Sequence, residues 1–524
     1  MCPMSAVATA PSPAAPDASV RRRPRVPRTA LAVAGVVALT ALAAMLRLRA
    51  LGAPYWIDEG ISVGISSHPL GAIPHVLRED GSPPLYYLLL HVWIALFGTG
   101  ASATHSLSAG IAIACVPAAW WALSPFGFWP GLVAAGLMAV DPYVGLYADE
   151  TRMYSLELLL ALLVCGAFLR VFVLRRRVHA VTFAVVVALA LYTHAWGAFL
   201  AAAAGAAWLA MVIAGPDRRG VARDGLLAFA GAALLFAPWV PTLLDQAAHT
   251  GAPWSHRPTA TSLDRAITRI WSGQRAEKLL FPLAAVGALV AAWRGGPQMR
   301  RGLLAMAIVT AGTLLSAWAY SRFGSPAWAL RYLVVVLAPM ALLVALGLGR
   351  LPVLGPLAVV AAAVLAWHGR PLPSTLEHKS NVAQVVRELR PSLPQGTLVF
   401  STQPEQVPEL AHELGPGMRF ATPLGHVTDT GVMNWRDALT RLRAARFGPS
   451  LGAEVRDLHR GQRLLLVQPL FSHPDSPWTR LIRRIAHRWG RELRSDRLVR
   501  HLRTIRPAHG SSRSSVDAIL MVRR

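Results

Sequence analysis

Where the first long apolar run ends, the sequence reads "PYWIDEG" (residues 54–60), placing two carboxylates, Asp58 and Glu59, side by side at the edge of a lipid-embedded helix. Charge at the centre of such a helix costs roughly 2.5–3.5 kcal/mol per residue on insertion scales, so the pair asks for a reason. A carboxylate at a membrane–water boundary, partly desolvated, is able to take a proton from an acceptor hydroxyl; a solvated helix-end charge is the competing reading. A second polar cluster, "DPYVGLYADETRMYSLE" (141–157), supplies Asp149, Glu150, Arg152 and Tyr154. Carboxylates beside an arginine suit a sugar, and a guanidinium takes two phosphate oxygens at once, against the plainer reading of an ion pair within a loop. Between the clusters, "REDGSPPLYYLLLH" (78–91) sets Asp80 before a Gly-Ser-Pro-Pro turn, with Tyr86 and Tyr87 after it. Those tyrosines fit an isoprenoid near the head groups or an ordinary aromatic belt. His194 in "YTHAWG" is placed to donate to a phosphate or sugar, or to rest as an interfacial histidine. Arg331 in "ALRYLVVVLAP" suits a departing lipid phosphate, or it snorkels to the head groups.

The elements that must carry these residues are set by composition. Of 524 residues 54% are hydrophobic and only 15% charged, where a soluble chain would carry about a quarter charged. Apolar stretches of membrane-crossing length recur through the first 370 positions. Short basic clusters at 175–177, 216–224 and 294–301 belong on the cytoplasmic side by the positive-inside rule. That pairs the runs 179–194 with 197–214, 224–242 with 279–294, and 302–320 with 330–349; the run 352–368 exits. The segment 83–98 is apolar but short, opens with two prolines and has no basic flank. If it lies in the interface, 103–123 and 127–146 form a pair, and 155–174 returns to the Arg cluster. The expectation is a mainly α polytopic bundle of about eleven transmembrane helices over 29–369, with outer loops 50–102 and 147–155 on one face.

The N-terminal 28 residues, rich in Pro, Ala and Arg, read as a disordered cytoplasmic tail before an uncleaved signal anchor. From 370 a linker leads to short strand-like and helix-like segments up to 524, a small extracytoplasmic α/β domain. "TLVFS" and "RLLLVQPL" read as buried strands, and "VAQVVREL" and "NWRDALTRLRAA" as helices. This domain carries 25 Lys and Arg against 13 Asp and Glu, with an Arg-dense tract over 480–506 that fits anionic lipid or glycan, or a solvated face. The whole chain is at +25, 52 Lys and Arg (nearly all Arg) against 27 Asp and Glu. Loop bias and anionic head groups account for that charge better than nucleic acid, for which no binding motif exists. Three cysteines make no disulfide framework. No phosphate loop, nucleophile elbow, zinc motif or cofactor fingerprint occurs, and no metal site is marked.

Four stretches carry a family resemblance: "YWIDEGISVGISSHPL", "DGSPPLYYLLLHVWIALFGTG", "YADETRMYSLELLLALL" and "RYLVVVLAPMALLVALG". Over roughly 30–350 they resemble the membrane glycosyltransferases of the GT-C class, nearest the bacterial protein O-mannosyltransferase-like and aminoarabinose-transferase-like families. The resemblance implies a polyprenyl-phosphate sugar donor, inversion at the anomeric carbon and transfer outside the membrane. It also implies Asp58 as general base with Glu59 as its catalytic partner, and roles for Arg152, Tyr154, Arg331 and Tyr332. The sequence departs from relatives at Ser82, where they often carry His, and at His105, where they often carry Arg. The resemblance does not reach the domain after 370.

The chain therefore reads as an integral glycosyltransferase of a bacterial plasma membrane, hexosyl- or pentosyl-transferring. It would move a sugar from the lipid-linked donor to an extracytoplasmic glycan, lipid or protein acceptor. Asp80, Tyr86, Tyr87, Asp149, Glu150, Arg152, Tyr154, His194 and Arg331 are the substrate-binding candidates, and neither metal nor cofactor is called for. A transporter or flippase of a lipid-linked glycan is the first alternative, and it should show internal repeats and midplane charges. A non-catalytic cell-envelope assembly protein is the second.

Overall fold

The computed structural model describes residues 27–271, 273–369, 379–471, 474–506 and 514–524. The tail expected over 1–28 lies outside them but for its last two residues, as does the linker over 370–378.

Among the described residues, eight helices are long and apolar enough to cross a membrane: Arg28–Arg47, Ala101–Phe126, Tyr154–Val173, Gly197–Ala214, Arg218–His249, Gln274–Arg294, Pro297–Phe323 and Leu330–Leu348. A bent pair, Phe128–Val140 and Pro142–Ala148, makes a ninth if counted as one span. The expected eleven are not reached. Two of the expected spans form the shorter apolar helices Arg177–Thr193 and Leu354–Trp367, which fall below the ~20 residues that a bilayer core asks for. The doubtful segment 83–98 is also short, forming Leu85–Phe97.

The bend of 55° between the paired helices has a local cause. Asp141 leaves helical geometry, and its carboxylate accepts the Tyr143 backbone N–H at 2.8 Å. With Pro142 in the first position, a new helix begins there. Apolar side chains cover all sides of most spans, because one face meets lipid and the other meets the bundle. Two arginines are nevertheless buried among them. Arg47 donates to the carbonyls of Ala112 and Met138, and Arg170 lies 3.8 Å over the Trp121 ring.

The loop 50–102 folds into three helices, Ile57–Ser66, Ile73–Asp80 and Leu85–Phe97. They cap one end of the bundle beneath the C-terminal domain. That domain holds a mixed six-stranded sheet in the order β3-β2-β1-β4-β6-β5, formed by β1 (Leu398–Ser401), β2 (Arg419–Thr422), β3 (Gly425–Val427), β4 (Arg463–Pro469), β5 (Val499–Ile505) and β6 (Val516–Arg523). Strands β1, β2 and β4 run parallel, while β3, β5 and β6 pair antiparallel. The parallel centre is buried on both faces, which explains the unbroken apolar "LVF" and "LLLV". The segment expected as a helix over 382–389 forms as such, whereas that over 434–445 shortens to Ala438–Ala444.

The domain sits directly on the helix Ile57–Ser66. Gly60 and Gly64, one turn apart, face it. A Cβ on Gly60 would stand 2.7 Å from the Glu409 backbone, and one on Gly64 would collide with the Gly431 carbonyl. Small residues at that spacing let two backbones approach as nothing larger would.

Candidate active site

Helix Ile57–Ser66 delivers the acidic pair, and its geometry separates the two carboxylates. The helix begins where Glu59 reaches back to the Trp56 backbone N–H at 3.2 Å, one half of a capping box. Successive helix positions point about 100° apart, so Asp58 and Glu59 face different surroundings.

Asp58 faces the cleft. Its side chain is 19% exposed, and Arg331, 24% exposed, brings a guanidinium nitrogen to 3.5 Å from the carboxylate. Arg331 is held by aromatic rings: Trp254 at 4.6 Å, Tyr332 at 5.5 Å and Trp56 at 5.8 Å from the guanidinium carbon. Arg152 reaches the same helix from the other side. One of its nitrogens donates to the Asp58 carbonyl at 3.2 Å, to Ser62 Oγ at 3.0 Å and to the Tyr87 hydroxyl at 3.3 Å. Burial works against that guanidinium's charge, but the acidic groups around it, Tyr87 first and then Tyr154, Asp58 and Asp80, hold its pKa well above the ordinary value. The cleft therefore carries two fixed cations beside one reachable carboxylate.

Glu59 points the other way and is fully buried. Its Oε1 accepts from His105 Nε2 at 2.6 Å and from the Thr151 backbone N–H at 2.8 Å, and its Oε2 accepts from Lys379 Nζ at 3.0 Å. Burial alone would raise its pKa; Lys379 and His105 outweigh that and hold the carboxyl at about 2. Glu59, expected as the catalytic partner of Asp58, thus stands on the far side of the helix from the cleft. With four donors and no solvent contact, Glu59 ties together the acidic motif, the 149–153 loop and the C-terminal domain.

The remaining expected residues distribute around this frame. His194 is buried, accepts the Trp196 backbone N–H on Nδ1 at 3.1 Å, and lies tilted against the Tyr332 ring with centroids 4.4 Å apart. Burial first, then Arg152 and Arg331, pushes its pKa down to about 3, so the ring is neutral and its second nitrogen can donate. Tyr154 lies under Arg152 at 5.8 Å and joins Tyr332 and His194 in one aromatic wall. Tyr86 turns away and bonds Ser108 at 3.0 Å. Asp80 acts on Arg152 and Asp58 through charge, and withdrawal from solvent raises it to about 6. Asp149 and Glu150 are buried behind the motif rather than in the cleft. Burial pushes Asp149 up to about 7, while its backbone carbonyl accepts from Lys379 at 2.8 Å. Among the described residues, no group of three His, Cys, Asp or Glu side chains is placed to hold a metal ion.

Sequence reasoning missed Lys379, Ser62 and Trp254. Lys379 had a signal: it is one of only two lysines, with Lys278, among 52 Lys and Arg. An ammonium where every neighbour is a guanidinium marks a place for a compact point charge.

No protein-family model matches the chain, and no curated protein matches it in sequence. Solved structures do match. ArnT from Cupriavidus metallidurans in the apo state superposes with a TM-score of 0.62 at 12% identity, over 94% of this chain and 98% of that one. The same protein bound to undecaprenyl phosphate gives 0.59 at 13%, over 94% and 97%. The arabinofuranosyltransferase AftD from Mycobacteria gives 0.52 at 17%, over 95% of this chain but 42% of that longer one. The chain has the GT-C membrane glycosyltransferase fold. This GT-C likeness extends through the C-terminal domain, beyond the 30–350 stretch that carries the motifs, and none of it favours mannose in particular.

Proposed function

We propose that the chain is a GT-C glycosyltransferase that moves a sugar from a polyprenyl-phosphate donor to an acceptor hydroxyl at the outer membrane interface. The observation that carries this reading is the meeting of Asp58, Arg331 and Arg152 in one largely buried cleft at the end of a membrane bundle. The fold and the undecaprenyl phosphate bound to ArnT agree with it.

In this reading the donor enters from the bilayer with its isoprenoid along the spans and its phosphate against Arg331. Asp58 accepts the acceptor's hydroxyl proton as that oxygen forms its bond to the anomeric carbon. The carbon–phosphate oxygen bond breaks in the same displacement, its electron pair leaves on the polyprenyl phosphate, and the anomeric configuration inverts. A phosphate needs charge neutralisation on departure rather than a proton, and fixed cations in a dry cleft supply it without reorganising. His194, neutral and donor-capable, and the Tyr154–Tyr332 wall border the sugar. Glu59 positions the helix that bears Asp58. The cytoplasmic N-terminus and outer-facing C-terminal domain expected from the arginine pattern put the reaction outside the cell.

The test is reconstitution in vesicles with a sugar-labelled polyprenyl-phosphate donor. Free polyprenyl phosphate should appear in step with an inverted glycoside product. Movement of the intact donor across the bilayer, with neither released phosphate nor glycoside, contradicts the proposal.

A further inference from the structure

Above the cleft, helix Pro477–Ser495 of the C-terminal domain divides sharply into two faces. Trp478, Ile482, Ile485, Trp489 and Leu493 are buried against the sheet. The opposite face carries Arg480, Arg483, Arg484, Arg488 and Arg491, all exposed, and Arg443 faces them across a groove of about 970 Å³. Among the described residues acid partners are few: of these six arginines, Arg488 makes an ion pair, with Glu492 at 2.7 Å, and the others make none. From Arg480 to Arg491 the row extends about 16 Å at 1.5 Å per residue. Such a row is costly in self-repulsion, which an anionic partner relieves.

The row leads to the cleft. The backbone N–H of Trp478, at the start of the helix, donates to the Pro253 carbonyl at 3.4 Å. The next residue, Trp254, lies over Arg331, which pairs with Asp58. The buried Trp478 ring donates to Glu405 at 2.8 Å, which fixes the helix start.

We propose that this arginine face is the docking track for a phosphate-bearing glycan polymer, the acceptor class of the reaction; this rests on the glycosyltransferase reading above. Two features select that occupant. The row is cationic with one carboxylate paired to it among the described residues, and the planar fork of an arginine matches a phosphate through two parallel hydrogen bonds. The apolar face of the helix is spent on the domain core, so no free apolar face remains to enter a bilayer, as a membrane-lying amphipathic helix requires. The row is built for a water-borne polyanion rather than for anionic lipid.

The experiment uses the full chain in neutral-lipid nanodiscs and measures binding of a labelled phosphomannan, the same mannan stripped of phosphate by cold aqueous hydrofluoric acid, and phosphatidylglycerol vesicles. The phosphomannan should bind, lose about tenfold or more in affinity between roughly 50 and 200 mM salt, and exceed the stripped mannan by a similar factor. The variant R483Q/R484Q/R488Q/R491Q should lose about tenfold or more in affinity with a flattened salt dependence. R387Q/R456Q/R460Q, exposed arginines outside the groove, should bind as the unmodified chain does. Asp58→Asn should also bind normally, so a failure of the catalytic reading stays distinct from a failure of docking. Equal binding of stripped mannan, undiminished binding by the quadruple variant, or arginine-dependent capture of the vesicles in place of the polymer would each overturn the proposal.

Discussion

Lys379→Met cuts the bond between the C-terminal domain and the acidic motif, and its cost follows from the surroundings of Glu59. That carboxyl is fully buried, and its pKa is held at about 2 against an ordinary 4.5. Burial opposes the charged form, and the Lys379 ammonium is the largest favourable contribution outweighing it. Removing one partner from a buried pair costs about 3–5 kcal/mol. The sign with pH follows. A depressed carboxyl gives its full stabilisation above the unfolded pKa and loses it as pH falls from about 4.5 towards about 2. Lys379→Met has lost that contribution already, so its deficit in stability against the unmodified chain should be full near neutral pH and shrink as pH falls through that range. The assay is equilibrium urea unfolding in neutral detergent by tryptophan fluorescence, with hydrogen exchange read over residues 57–66, for Lys379→Met, Glu59→Gln and the double variant. Each single change should cost about 3 kcal/mol or more, and the double should fall short of their sum by about 3 kcal/mol. Additivity within about 0.5 kcal/mol would refute the pairing and the anchoring role built on it.

Other outcomes follow from the same geometry. Gly64→Leu should release the C-terminal domain from helix Ile57–Ser66, because the added side chain meets the Gly431 carbonyl; protease sensitivity of the domain should rise while the bundle stays folded in detergent. Arg331→Ala should lower transfer by about 10²–10³-fold, the scale of a lost charge-stabilising donor, and Arg331→Lys should not restore it, since a planar guanidinium stacked on Trp254 is what the site holds. Asp149 keeps its proton to about 7 when folded but ionises near 3.8 when unfolded. Its effect on stability is thus a decline as pH rises between those values, and Asp149→Asn should flatten that part of an unfolding-midpoint profile.

Much of the cleft was legible in the chain. Asp58, Arg152, Tyr87 and Arg331 were each marked by a polar group at the edge of an apolar run, where charge is costly enough to need a reason. The structure joins them across 94 residues between Asp58 and Arg152. The division of labour between Asp58 and Glu59 was not legible, because adjacent carboxylates look alike in sequence and only the helix phase turns one to the cleft and the other to His105 and Lys379. Contacts at long range escaped too: Lys379 reaches Glu59 over 320 residues and from beyond a change of domain. Among the described residues eight or nine helices reach crossing length against the expected eleven, because a cap and a proline bend one run at Asp141 and the helices at 177–193 and 354–367 are short. Within the C-terminal domain the central strands announced themselves as unbroken apolar runs, whereas edge strand β5, "VRHLRTI", is mostly exposed and polar and gave no such signal.

The most direct test of the account is sugar transfer by Asp58→Asn in vesicles with a polyprenyl-phosphate donor. Asparagine keeps the shape and accepts no proton, so glycoside formation should fall by about 10²–10⁴-fold, the range of general-base catalysis, while donor binding persists through Arg331. Transfer at the unmodified rate would contradict the claim that Asp58 is the base.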